Sequence, residues 1–179
     1  MKRIIVLFSL VLLAATVVHA QLITGNYAIK NVQTGMLLRV KDAGSKNGTP
    51  LVSYYPENWK CMTWDFKNTG PQTYQLQNLL TNKTFQPQGA AASGTGGPSG
   101  NAVAPGTAME EQPLAANAPG QQYEFLPVKT DTYLIRLKGS ELYITPGDAD
   151  GKINTVIILA KKNDKPNQYW TIYKQEPTL

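Results

Sequence analysis

Three stretches of this chain open and close in the same way, and such repetition limits the fold to architectures assembled from copies of one small unit. Tyr27-Ala28-Ile29, Tyr74-Gln75-Leu76 and Tyr133-Leu134-Ile135 each set an aliphatic residue two positions after a tyrosine. Trp64-Asp65-Phe66, Tyr123-Glu124-Phe125 and Trp170-Thr171-Ile172 close the stretches with an aromatic and an apolar residue two positions later. A spacing of two puts both side chains on one face of a strand. Tyr27 and Trp64 are 37 residues apart, as are Tyr133 and Trp170, whereas 49 separate Tyr74 from Tyr123. The first and third units therefore match in length and the second carries an insertion.

Strand-like segments fill each unit. In the first, Met36–Val40 follows a turn at Thr34-Gly35, Asn47-Gly48 marks a tight turn, Leu51–Tyr55 follows, and Met62–Phe66 closes the unit. In the third, the pattern predicts strands over Thr132–Leu137, Glu141–Thr145, Thr155–Ala160 and Gln168–Tyr173. No capped 3.6-residue apolar period appears after residue 20. The expectation is an all-β fold of about four strands in each of three units, roughly twelve in total. Gly89–Pro119 is rich in Gly, Ala, Pro and Ser, and it has too few large apolar residues to bury itself. It reads as one long surface loop inserted in the second unit, and Glu110-Glu111 within it as solvated charge.

Residues 1–20 read as a cleaved signal peptide: Lys2 and Arg3, an apolar run from Ile4 to Val18, and small residues Val18 and Ala20 before Gln21. A run of roughly 15 residues falls short of the about 20 that span a bilayer. The residue directly after the cleavage point is Gln21 and not a cysteine, which argues against a lipid anchor. The expected destination is secreted or periplasmic, with residues 21–179 forming one domain of three repeats, about 24–70, 71–129 and 130–175. Loss of Lys2 and Arg3 lowers the formal charge from +5 to +3. That scattered excess is no nucleic-acid footprint, and no membrane association is expected after cleavage.

The only histidine, His19, lies in the leader, so the remaining chain has no imidazole for a catalytic triad, a zinc site or a proton shuttle. The acids are scattered singly apart from Glu110-Glu111 and Asp148 with Asp150. The reading is of a protein without catalytic residues, metal or organic cofactor. Cys61, the sole cysteine, cannot form an internal disulfide and reads as a small buried hydrophobe.

Three four-strand units resemble a β-trefoil, and their local motifs resemble its ricin-type lectin branch. The residues that carry the likeness are Leu38-Arg39-Val40, then Asn47-Gly48 and the strand ending at Tyr54, then Met62-Thr63-Trp64. The second unit closes on Gln121-Gln122-Tyr123 and the third on Gln168-Tyr169-Trp170, the family's Gln-x-Trp. The resemblance implies that Trp64, Tyr123 and Trp170 point into the core. It also implies that sugars are held by a carboxylate, an aromatic face and amides from the following loop. The family's carboxylate position falls on Arg39 in the first unit, Gln86 in the second and near Ile144 or Thr145 in the third, so none carries the usual acid.

Candidate carbohydrate contacts are Asp42, Asn47, Tyr54, Tyr55, Asn58 and Trp59 in the first unit, and Asp148, Asp150 and Asn154 in the third. Hydroxyls need bidentate or charge-assisted hydrogen bonds, and a sugar's C–H face suits an aromatic. The leading expectation is a secreted carbohydrate-binding module that binds a glycan or polysaccharide. The alternative is a β-trefoil that binds a protein partner, such as a protease inhibitor, through the 89–119 loop. A glycosidase is the third, and needs two acids facing each other across a cleft.

Overall fold

The computed structural model describes residues 22–90 and 103–178. The expected leader, 1–20, and residues 91–102 of the expected loop lie outside the described residues. Twelve strands are present among those described. They fall into three runs of four: β1 Gly25–Asn31, β2 Leu37–Val40, β3 Leu51–Tyr54 and β4 Thr63–Gly70; β5 Thr73–Asn78, β6 Thr84–Pro87, β7 Met109–Gln112 and β8 Tyr123–Lys129; β9 Thr132–Leu137, β10 Leu142–Pro146, β11 Ile157–Lys161 and β12 Tyr169–Lys174. The expected β-trefoil is therefore the observed one.

The outer strands of each run close a six-stranded antiparallel barrel. β1 pairs with β4, β4 with β5, β5 with β8, β8 with β9, β9 with β12, and β12 returns to β1 through Tyr27 opposite Lys174 to Asn31 opposite Trp170. Closure leaves no free edge in the barrel, which removes the usual template for aggregation. The inner strands form three hairpins, β2–β3, β6–β7 and β10–β11, across one end of the barrel. Gly48, in the turn between β2 and β3, has φ of +84°, a conformation that its lack of Cβ permits.

The hairpins also pair with one another in a triangle. Ser53 N–H donates to Thr155 O (2.9 Å), Glu111 N–H to Thr49 O (2.7 Å) and Leu159 N–H to Thr107 O (2.9 Å). Each hairpin thus borrows backbone partners from both others, and no lobe folds free of its neighbours.

The closing aromatics tie cap to barrel. The Trp64 indole donates to Leu38 O (3.2 Å), the Trp170 indole to Ile144 O (3.0 Å) and the Tyr123 hydroxyl to Phe85 O (2.8 Å). All three side chains are fully buried, and Phe66, Phe125 and Ile172 join the same core. Burial leaves each polar tip in need of a partner, and the same hairpin carbonyl supplies it three times.

One expectation is overturned. Gly89–Pro119 is not a single surface loop, because β7 lies within it, pairs with β6 and sends Met109 into the core. Glu111, read as solvated, is fully buried on β7, and Glu110 is half-buried. A four-residue strand that alternates Met and Glu inward gives no apolar pattern to read. Cys61 is buried and free beside Ala28, Leu37 and Met62, as expected.

Candidate functional site

Hairpin registers place equivalent residues of the three lobes without ambiguity. Arg39 pairs with Val52, Gln86 with Glu110 and Thr145 with Ile158, and two residues further along the second strands stand Tyr54, Gln112 and Ala160. Short 3-10 turns then precede the closing strands at Lys60–Met62, Pro119–Gln121 and Pro166–Gln168, so Trp59, Ala118 and Lys165 correspond. Only the first lobe has aromatics at both positions.

The loop before each closing strand is fastened differently. In the second lobe the buried Gln121 side chain donates to Pro113 O (3.0 Å) and to Gln86 Oε1 (2.9 Å), and accepts from Ala115 N–H (2.9 Å). In the third, Gln168 donates to Lys161 O (2.8 Å) and accepts from Asn163 N–H (2.9 Å). The first lobe has Met62 there, packed among apolar side chains with Tyr54 and Trp59 against it. Its loop is held from outside: Gln175 donates to Glu57 O (2.7 Å), accepts from the Thr63 hydroxyl (2.8 Å), and Asn58 donates to Glu176 O (2.9 Å). An open groove of about 400 Å³ runs between Pro56–Asn58 and the chain from Tyr173 to Glu176.

Arg39 is the unexpected member of the site. Its guanidinium carbon sits 4.1 Å from the Tyr54 ring centroid and 5.9 Å from that of Trp59. The residue is only 8% exposed, its buried Nε has no hydrogen-bond partner, and no carboxylate forms an ion pair with it among the described residues. A desolvated cation–π contact contributes about 2 kcal/mol. Desolvation of an ion costs several kcal/mol, so the aromatics offset only part of that cost. The signal in the sequence is the arginine standing where the resembled family has its acid, 15 residues before an aromatic.

The sequence candidates divide into three groups. Tyr54, Tyr55 and Trp59 come together, with ring centroids 5.9 Å apart for Tyr54–Tyr55 and 6.1 Å for Tyr54–Trp59. Tyr55 is 56% exposed and Trp59 half-buried. Asn58 lies in the adjoining loop, its amide engaged by Glu176. Asp42 and Asn47 do not join this cluster. Both lie past the Val40–Leu51 end of the hairpin, whereas Tyr54 pairs with Leu37 at the other end. Asp42 is exposed with φ of +51°, and Asn47 Oδ1 accepts from Lys83 Nζ (2.8 Å).

Asp148 and Asp150 share Lys152 at 3.6 and 3.3 Å. Their loop leans on the first unit rather than forming a third pocket: Gln33 donates to Ala149 O (3.2 Å), and Asn154 N–H donates to Ser53 O (2.8 Å). Asn154 has φ of +62°, which an asparagine tolerates at such a turn.

Among the described residues Glu111 is the one carboxylate whose pKa is shifted. Burial raises its pKa above the ordinary 4.5, opposed by the hydrogen bond from the Thr81 hydroxyl to Oε1 and by the positive charge of Lys83. Its Oε2 has no partner. Among the described residues no three His, Cys, Asp or Glu side chains gather as a metal site.

A closed barrel, three capping hairpins and a repeated aromatic clasp define the class: a β-trefoil. Residues 16–98 match the family model described as ricin-type beta-trefoil lectin domain-like, and the resemblance to ricin-type lectin domains is thereby shown. Solved structures share the fold across most of the chain. A designed threefold-symmetric protein, ThreeFoil, superposes with a TM-score of 0.73 at 16% identity, covering 84% of this chain and 99% of its own. The Rhizoctonia solani agglutinin gives 0.70 at 18%, covering 88% and 99%. The Macrolepiota procera ricin B-like lectin in complex with lactose gives 0.69 at 17%, covering 87% and 99%. No curated protein matches the chain in sequence.

Proposed function

We propose that this protein is a secreted carbohydrate-binding module without catalytic activity, and that its first lobe binds the ligand. The observation that carries this reading is the asymmetry of the three lobes. Tyr54 and Trp59 occupy positions that hold Gln112 and Ala118 in the second lobe and Ala160 and Lys165 in the third. Tyr55 adds an exposed face, of the kind that stacks on the C–H surface of a sugar ring. The ricin-type family match and the lactose-bound structural neighbour support a saccharide as the ligand. The non-catalytic reading is supported by the lack of histidine in residues 21–179 and by the engagement of many acids: Glu124 and Glu141 bind Arg136, Asp148 and Asp150 bind Lys152, Asp164 binds Lys162, and Glu111 is buried. Glu57 and Glu176, which line the open groove, form no ion pair among the described residues and are the acids a glycosidase would have to use. The export reading rests on the composition of residues 1–20.

A glycan array and polysaccharide pull-down on the exported protein test this, with the Tyr54→Ala/Trp59→Ala double variant as control. Saturable binding that the folded variant loses is the expected result. Binding that survives in the variant would move the site out of the first lobe, and absence of binding to every glycan would sink the module reading.

A further inference from the structure

We propose that the first lobe selects saccharides bearing an anionic group, a uronate carboxylate or a sulfate ester, which the Arg39 guanidinium receives beside Tyr54 and Trp59. This rests on the carbohydrate-binding reading and names its ligand class.

Three observations converge on it. First, the position that the ricin-type resemblance assigns to a sugar-binding carboxylate holds a cation, so the polarity of the lobe is reversed at the contact that would orient the ligand. An acid there accepts from hydroxyls; a guanidinium only donates, in a planar fork that matches a carboxylate or sulfate edge. Second, Arg39 is nine-tenths buried with an unpartnered Nε and no ion pair among the described residues. Apart from the solvent that its outer edge reaches, its positive charge faces two rings. A structural arginine at this depth is ordinarily paired with an acid, and the nearby Asp42 is exposed at the far end of the hairpin. Third, the equivalent positions are uncharged: Gln86 donates to Ala90 O (2.6 Å) and Thr145 holds a buried hydroxyl. The cation is thus particular to the lobe that also holds the aromatics. An incoming anion would supply the missing countercharge, while Tyr55 and Trp59 receive the sugar ring.

The test is titration calorimetry with polygalacturonate, carboxyl-reduced polygalacturonate and a sulfated galactan, on the wild type and on Arg39→Met and Arg39→Lys. Melting curves confirm that each variant is folded, and Arg39→Lys keeps the charge should Arg39→Met fail to fold. The expected result is binding to a charged polymer at least tenfold tighter than to the reduced one. Arg39→Met should lose that preference, while Arg39→Lys keeps part of it. Preference for the carboxylate or the sulfate form tells which anion is read. Equal binding of charged and reduced polymers overturns the proposal while leaving the carbohydrate-binding reading intact, as does an anion preference that Arg39→Met leaves unchanged. Binding to neither, nor to any glycan on the array, overturns both.

Discussion

The first and third lobes share a core and differ in everything placed on it. Trp64 and Trp170 donate to equivalent hairpin carbonyls, yet one lobe then sets Arg39, Tyr54 and Trp59 at its mouth and the other Thr145, Ala160 and Lys165. The third lobe fastens its loop with its own Gln168. The first has Met62 there and depends on Gln175, more than a hundred residues away in sequence. A repeated scaffold can therefore hold its packing constant while one copy changes both its chemistry and the origin of its support. In the proposed reading, function follows the copy that departs from the pattern.

The largest expected effects test the shared part. Trp64→Ala and Trp170→Ala should each cost about 3–5 kcal/mol in urea denaturation, because both empty a fully buried indole volume and orphan a hairpin carbonyl. Unequal costs, with one near zero, would show that the lobes are not equivalent even in the core. Next come the two latches. Gln168→Ala and Gln175→Ala should each cost about 1–3 kcal/mol by leaving buried polar groups unpartnered. Amide hydrogen exchange should quicken over 161–165 in the first case and over 57–59 in the second. Unchanged exchange at 57–59 in Gln175→Ala would break the idea that the tail supports the first lobe.

The smallest effect lies in the second lobe. Because Glu111 binds its proton more tightly when folded than when unfolded, its contribution is present below pH 4.5 and is lost as pH rises through the higher folded value. Glu111→Gln should flatten that decline and raise stability by about 1 kcal/mol near neutral pH. Denaturation midpoints across a pH series measure it. A parallel decline in the variant would assign the slope to other groups.

The fold was legible because its constraints repeat. Three opening tyrosines and three closing aromatics at matched spacing specify strand faces; Tyr74 and the closing aromatics are core, and Tyr27 and Tyr133 pack half-buried against it. β7 was hidden because its inward residues are Met109 and Glu111, a pair that alternation by hydrophobicity does not register. The aromatic half of the candidate site, Tyr54, Tyr55 and Trp59, could be read from local order. Asp42 and Asn47 were placed by nearness in sequence, whereas strand register sends them to the opposite end of the hairpin. Arg39 was visible as a departure from the family pattern, but its stacking depends on a strand pairing and a loop that only three dimensions bring together. Gln175 carries no local signal at all, since its partners Glu57 and Thr63 belong to another repeat.

Pairing of β1 with β12 also has a kinetic meaning. The barrel closes only when the first strand meets the last, through contacts that span nearly the whole described chain, and such long loops are slow to close. A nascent chain that has not yet released Tyr169–Lys174 holds β1 and β9 with bare edges. Folding should therefore wait for β12, and any truncation before it would leave a sheet open to association rather than a smaller domain.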